Sequence, residues 1–279
     1  MTPGFIPPSV VVGIDGSRAA AHAAVWAIDE AASREIPLRL IAVSPAGDGQ
    51  QAPQRLAEAA QAVAAAADGR AVAVRTEEAA GEPTQVLLEA SRTAAMVCVG
   101  AVGLKHFEPG RTGSTATVLV ASALCPVAVV RAPLHSGGDA PGAVVVELDD
   151  TPDSAAVLQF GVAEARLRSA PLRVLGSWHS RYTDMHDVNA VTDGNRMVRA
   201  QLDRRLSQWK RRYPDLDVRP VPVHGSALNY LARHTDEIQL VVIGARDGNA
   251  VGELLGPTGS AVLHDTDCSV LVVDPQRLL

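Results

Sequence analysis

Two short segments carry the residue types that could grip an anion. The first is Gly13-Ile14-Asp15-Gly16-Ser17, directly after an apolar run. The second is the loop Gly100, Ala101, Val102, Gly103, Leu104, Lys105, His106, which reaches Gly113-Ser114-Thr115 after nine residues counted from Gly103. Glycines let backbone amides approach an anion closely, and a helix opening at Ser114 would present unpaired N–H donors at the positive end of its dipole. The hydroxyls of Ser114 and Thr115 add donors, and Lys105, His106 and Arg111 could add counter-charge. The combination suits a phosphate chain, with Asp15 at a neighbouring strand end able to accept from a ribose or base. The same residues also suit a plain structural role: glycines as tight-turn residues, Gly-Ser as an ordinary helix cap, and Asp15 as the cap of the helix that follows it.

Positioning these segments requires strands that end where they begin. In the first half, strand-like runs lie near residues 10–15, 38–44, 71–77, 96–101 and 127–131, and helical stretches at 19–33, 53–67, 83–91 and 114–122 fill the gaps. The right-handed crossover rule folds such an alternation into a parallel sheet covered on both faces, and near-continuous apolar strands such as VVVGI and MVCVG fit burial on both sides. Ligands of open α/β sheets bind beyond the carboxyl ends of the strands, where both glycine segments stand. Hydrophobic residues make up 47% of the 279 residues and aromatics 3%, so the core must be built from Ala, Val, Leu and Ile.

The chain repeats itself. VVVGIDGS from Val10 returns as VVVELDDT from Val144, and IPLRLIAVS from Ile36 as APLRVLGSW from Ala170. MVCVGA from Met96 returns as LVVIGA from Leu240, and LCPVAVV from Leu124 as DCSVLVV from Asp267. Blocks in the same order at nearly the same offset imply two domains, 1–132 and 143–279, joined by a linker at 133–142 rich in Pro, Gly and Ser. Second-half strands fall near 143–149, 172–178, 218–223, 240–245 and 270–274, and residues 179–194 read as an exposed loop ahead of a helical stretch at 196–213. Trp26 and Phe160 occupy equivalent positions, which points to core packing.

The second copy departs where chemistry would sit. Glu147 stands at the position of Gly13, although Asp149 matches Asp15. Anchored on the following strand, Gly256 falls opposite Gly113, Asp247 replaces Gly103, and Pro257 replaces Ser114. Proline removes an amide, and Asp247 with Glu253 would repel phosphate. A local shift that recruits Gly259 and Ser260 is the alternative. Elsewhere, Ser136-Gly-Gly-Asp139 has the form of an SGGxD pyrophosphatase-type loop but lies in the linker, and His179, Asp184, His186 and Asp187 read as solvated loop residues rather than metal ligands.

A formal charge of −6 with interspersed signs argues against a nucleic-acid partner. Cys98, Cys125 and Cys268 lie in or beside apolar runs without C-x-x-C spacing and read as buried thiols of a reducing compartment. Neither a membrane-length apolar run nor a signal-type N-terminus is evident, so a cytoplasmic protein is expected, with no membrane association.

The run Val12 to Ser17, Val43 at the end of the second strand, and G-x2-G-x9-G-S from Gly100 to Ser114, repeated in tandem, resemble the ATP-binding branch of the universal stress protein family. The resemblance implies two tandem Rossmann-like (adenine nucleotide α-hydrolase-like) domains, each a five-stranded parallel sheet of order 3-2-1-4-5 with helices on both faces. It further implies ATP as ligand, usually with Mg²⁺, and no established metabolic reaction. Asp15 would then contact adenine or ribose, Gly13, Ile14 and Val43 would line the adenosine pocket, Gly100 and Gly103 would lie along ribose and phosphates, and Gly113, Ser114 and Thr115 would hold the phosphates. Ala116 departs from the second hydroxyl usual in the family. The expected function is a non-enzymatic regulator of stress or dormancy with one competent site, and pairing with another copy or another protein stays open. The alternatives are a slow ATPase or phosphotransferase, and a scaffold with vestigial sites.

Overall fold

The computed structural model describes residues 7–44, 51–103, 112–131, 142–149, 151, 153–179, 188–246, 248–264 and 266–274. The first half runs β1 (Val10–Ile14), α1 (Arg18–Ser33), β2 (Leu38–Ser44), α2 (Ala52–Ala66), β3 (Val74–Ala80), α3 (Pro83–Ser91), β4 (Met96–Gly100), α4 (Ser114–Ser122), β5 (Val127–Val130). The second runs β6 (Ala143–Glu147), α5 (Ser154–Leu167), β7 (Leu172–Trp178), α6 (Val188–Arg212), β8 (Val218–His224), α7 (Ala227–Arg233), β9 (Ile238–Gly244), α8 (Gly248–Leu255), α9 (Pro257–Leu263), β10 (Ser269–Val273).

Each half has the expected 3-2-1-4-5 order, but the two sheets are continuous. The full order is β3-β2-β1-β4-β5-β10-β9-β6-β7-β8. Every pairing is parallel except β5 with β10, which run antiparallel through Val129–Val270, Ala128–Leu271 and Val127–Val272. An antiparallel join between two equivalent strands relates the halves by an approximate twofold. It also removes two edges that would otherwise expose unpaired backbone groups. Of the edges that remain, β8 carries Pro220 and Pro222, which cannot donate to a further strand, and β3 carries Arg75, Glu77 and Glu78.

Period-two alternation sends strand side chains to two cores. Val10, Val12 and Ile14 join the cluster beneath α1, α2, α5 and α6, whereas Val11 joins the one beneath α3, α4, α7, α8 and α9. Helix α1 buries Ala20, Ala23, Ala24, Ala27, Ile28 and Ala31, a 3-4 spacing of small residues that seats the helix close to the sheet. All three cysteines are buried and unpaired. Burial pushes the Cys125 and Cys268 thiols up to about 12, which keeps them inert.

Two expectations change. Strand β3 starts at Val74, because its register with β2 pairs Leu38 with Val74 and ends at Ser44 with Ala80. Residues 188–194 are helical, not loop, and extend α6 toward its N-terminus. There Gly194 leaves room for the Trp178 ring, and Trp178 Nε1 donates to Asn195 Oδ1 at 2.8 Å. Tertiary packing thus overrides the poor helix propensity of Asp193-Gly194. Among the described residues no helix is long and apolar enough to cross a membrane.

Across the seam, α1 and α5 present matched residues: Trp26 and Phe160, Glu30 and Glu164, Arg34 and Arg168. Trp26 and Phe160 pack against the core, as expected, and the Arg168 guanidinium lies 4.5 Å from the centre of the Trp26 ring. Glu30 is fully buried and Glu164 is 1% exposed. Arg34 reaches Glu30 at 2.5 Å and Glu164 at 3.8 Å, while Arg168 reaches Glu30 at 2.8 Å and also pairs with Glu164. Burial, then the charge of Glu30, pushes the Glu164 carboxyl up to about 8. Burial opposes ionisation of Glu30 as well, but Arg168 and Arg34 with a hydrogen bond from Glu164 overcome it and hold Glu30 low. The two carboxyls, one from each half, are thus driven apart, Glu164 toward its protonated form and Glu30 toward its charged one.

Candidate functional site

The crevice beyond β1 and β4 gathers three segments of the first half. After β1 the chain turns through Gly16, whose φ of +88° is a left-handed conformation that suits glycine. Ser17 caps α1 by accepting from the Ala20 N–H at 3.1 Å. Asp15 is therefore not the cap. Its Oδ1 accepts from the Ser17 N–H at 2.8 Å and fixes the turn. Its Oδ2 faces the β4 loop: a Cβ on Gly103 would stand 2.8 Å from it. A side chain at position 103 would displace the carboxylate, so glycine there is a requirement of the crevice.

The third segment is the N-terminus of α4. The Gly113 N–H donates to the Ala101 carbonyl at 2.9 Å, and the Ala101 N–H donates to the Val130 carbonyl at 2.8 Å, so the ends of the loop are clamped to the sheet. A Cβ on Gly113 would meet only backbone, Ala101 O at 3.6 Å and Gly103 N at 3.9 Å. Helix α4 begins with no side-chain cap, which leaves the first-turn amides for an outside acceptor. Ser114 is exposed, Thr115 half-buried, and Ala116 buried in the core. The Ala116 methyl thus points inward, and its place in a ligand site would rest on its amide.

Other sequence-identified residues have packing roles. A Cβ on Gly13 would stand 2.8 Å from Leu87 of α3, and one on Gly100 would meet the Ala19 backbone at 2.8 Å, so these glycines let α3 and α1 close on the sheet. Ile14 is buried in the core beneath α1 and α2, whereas Ala101 is buried in the core on the opposite face, against which Val43 and Val102 pack partly exposed. Leu104, Lys105, His106 and Arg111 lie outside the described residues, as do the SGGxD segment, Asp184, His186, Asp187 and Asp247. Among the described residues no group of three or more His, Cys, Asp or Glu could hold a metal ion.

In the second half a further helix lies against the start of α9. Helices α4 and α9 start at matching positions, each capped by a glycine, Gly113 and Gly256. Between β9 and α9, however, the chain folds into α8, where the sequence reading had only a loop. A Cβ on Gly259 would collide with the backbone of Glu253 and Leu254, so α8 rests directly on α9. Ser260 is buried; its hydroxyl bonds the Leu255 carbonyl at 3.2 Å and, across the seam, the Thr112 hydroxyl at 2.6 Å. Gly259 and Ser260 are thus both engaged in packing contacts. Burial opposes the charge on Asp149, but hydrogen bonds from Ser154 and Thr151 hold its carboxyl below the ordinary range. Glu147 accepts from Ser177 at 2.8 Å. The signal that was missed is the 3-4 apolar spacing of Ala250, Val251, Leu254 and Leu255.

Sequence reading also missed Arg55. It stands in the first turn of α2, and its stem lies over the Gly16 turn, where a Cβ would meet Cγ at 3.0 Å and Nε at 3.2 Å. No local motif marks it, because the contact joins segments separated by a whole helix and a strand, α1 and β2.

Comparison with known proteins agrees with this architecture. The universal stress protein family matches residues 8–131 and again 142–274. A universal stress protein of Mycobacterium tuberculosis H37Rv is 45% identical over 282 residues, covering 98% of each chain, and another from that strain is 41% identical over 281 residues, covering 97% of each. A crystal structure of a universal stress protein from Archaeoglobus fulgidus superposes with a TM-score of 0.65 at 15% identity, over 95% of this chain and 96% of that one. A smaller universal stress protein solved in complex with cAMP covers 45% of this chain at 25% identity, with a TM-score of 0.38, over 97% of its own length. With two matched units and relatives alike over nearly their whole length, this chain belongs to the universal stress protein family as a tandem member.

Proposed function

We propose that the first domain binds ATP, with Mg²⁺, and that the protein acts in the cytoplasm as a non-enzymatic, nucleotide-dependent regulator of stress or dormancy. The observation that carries this reading is the convergence of Asp15, Gly103 and the uncapped α4 N-terminus in one crevice. The donor set fits the ligand. Backbone amides and the Ser114 and Thr115 hydroxyls suit phosphate oxygens, the Gly103 and Gly113 backbones leave space for them, and the Asp15 carboxylate suits a ribose or base donor. With no three-ligand cluster among the described residues, Mg²⁺ would be carried on the phosphates and water, as that ion prefers, and would neutralise part of their charge.

Binding rather than turnover is the favoured reading for a chemical reason. The described crevice donors grip a phosphate, but its carboxylate already holds a turn, and hydrolysis needs a base aligned on the attacking water. Equilibrium titration of nucleotide-stripped protein with MgATP tests the proposal. Saturable binding by wild type that is lost in Gly113→Glu and weakened in Asp15→Ala supports it. Absence of binding at millimolar ATP, or normal binding by both variants, sinks it. Product analysis after long incubation separates binder from enzyme: turnover that vanishes in Gly113→Glu would favour the latter.

A further inference from the structure

The duplicated fold supplies its own control for Arg55. Helix α2 buries Ala52, Leu56, Ala59 and Val63, and at the same spacing Leu202, Leu206, Trp209 and Tyr213 pack beneath α6. Arg55 is thus the counterpart of Arg205. Both arginines reach back over the loop that leaves the first strand of their own half, but they do different things there. Arg205 Nη1 donates to the Asp149 carbonyl at 3.0 Å, so its guanidinium ties the second-half turn. Arg55 bonds Gln51 of its own helix and makes no ion pair among the described residues. Its stem lies flat on the turn because position 16 is glycine; the second half has Asp150 there.

A sequence of contacts then crosses the crevice. The Gly113 backbone stands beside Gly103, Gly103 faces the Asp15 carboxylate, Asp15 leads into Gly16, and Arg55 lies over Gly16. The uncapped α4 N-terminus, suited to phosphate, is at one end, and Arg55 is at the other. We infer that Arg55 is a binding residue for the nucleoside end of the ligand, its planar guanidinium stacking on the purine and donating to ribose hydroxyls. Chemistry supports the assignment: a guanidinium offers both a flat face for a base and a fork of N–H donors, which an ammonium does not. The inference rests on the nucleotide reading above and goes beyond it by naming which end of the ligand α2 covers.

The test compares wild type, Arg55→Ala, Arg55→Lys and Arg205→Ala in the full chain, titrated with MgATP and with AMP, with thermal melts of each. Arg55→Ala is expected to lose roughly tenfold in affinity for both ligands, the scale of one lost stacking contact, with its melt unchanged. Arg55→Lys should stay weak, because charge without the planar fork does not restore stacking. Arg205→Ala should bind like wild type. Affinity within twofold of wild type in Arg55→Ala overturns the inference, as does a loss seen with ATP and absent with AMP, which would place Arg55 on the outer phosphates. If wild type binds neither ligand, the nucleotide reading itself fails and takes this inference with it, a result distinct from those two.

Discussion

The two halves of this chain share strand order, helix order and seam residues, yet they use the space beyond β1/β4 and β6/β9 differently. In the first half Gly103 faces the Asp15 carboxylate, and Gly113, at the start of α4, stands beside Gly103. In the second, the equivalent segment is the helix α8, which covers α9, while Asp149 is held by Thr151 and Ser154. The acid at the strand end is retained in both. What differs among the described residues is the segment before the last helix of each sheet: in the second half it includes α8, packed on α9. Helix α8 contributes its own burial of Leu254 and Leu255 to the second half.

Breaking the seam should have the largest effect, since both halves share it. Arg168→Ala leaves Glu30 and Glu164 buried with one cation fewer and is expected to cost about 3–5 kcal/mol, read from chemical denaturation. Loosening α8 comes next. Leu254→Ala should cost about 2–5 kcal/mol by opening a cavity under α8. The same variant should leave MgATP affinity unchanged; a loss of affinity would mean that the second half takes part in binding. Closing the first crevice is the converse change. Gly103→Val drives a side chain onto Asp15 and should weaken MgATP binding by on the order of 100-fold with little change in melting.

A subtler test uses the two buried carboxyls at the seam. Glu164 in the folded state holds its proton up to about 8, far above the ordinary range of a carboxyl. Its contribution to stability is therefore fully present in acid, below the unfolded value, and is lost as pH rises toward and through about 8. Glu30, held low, acts in the opposite sense: its contribution is present at neutral pH and is lost on acidification. Glu164→Gln imitates the protonated carboxyl and should flatten the decline between the ordinary carboxyl range and about pH 8; an unchanged slope would remove Glu164 from the account. The smallest effect is expected at the hydroxyl pair between the halves. Ser260→Ala should cost about 1 kcal/mol, measured by the same denaturation.

Much of this was legible in the chain before any coordinates. Strands such as Val10–Ile14 and Met96–Gly100 are short, apolar and β-branched, and the blocks beginning at Val144 and Leu240 repeat them, so element order and duplication follow from local pattern. The register of Gly256 with Gly113 was also readable, because both precede a helix that leads into an equivalent strand. Helix α8 was hidden by its glycines, Gly248 and Gly252, and by Gly256 just after it, which read as loop while the 3-4 spacing of its apolar residues argued otherwise. The early start of α6 was hidden the same way, by Asp193 and Gly194.

Sequence by itself determined the two-copy α/β plan, the family, and the fact that Glu147 and Pro257 break the pattern in the second copy. These are properties of local pattern, where each residue type speaks through its propensity, its periodicity or its missing amide. Tertiary structure alone decided that β5 meets β10 to join the sheets, that Glu30 and Glu164 meet Arg34 and Arg168 in one buried cluster, that Ser17 rather than Asp15 caps α1, and that Arg55 lies over Gly16 while Arg205 is tied down. Each of these depends on groups distant in the chain meeting at a few ångströms, and a one-dimensional pattern carries no record of that distance.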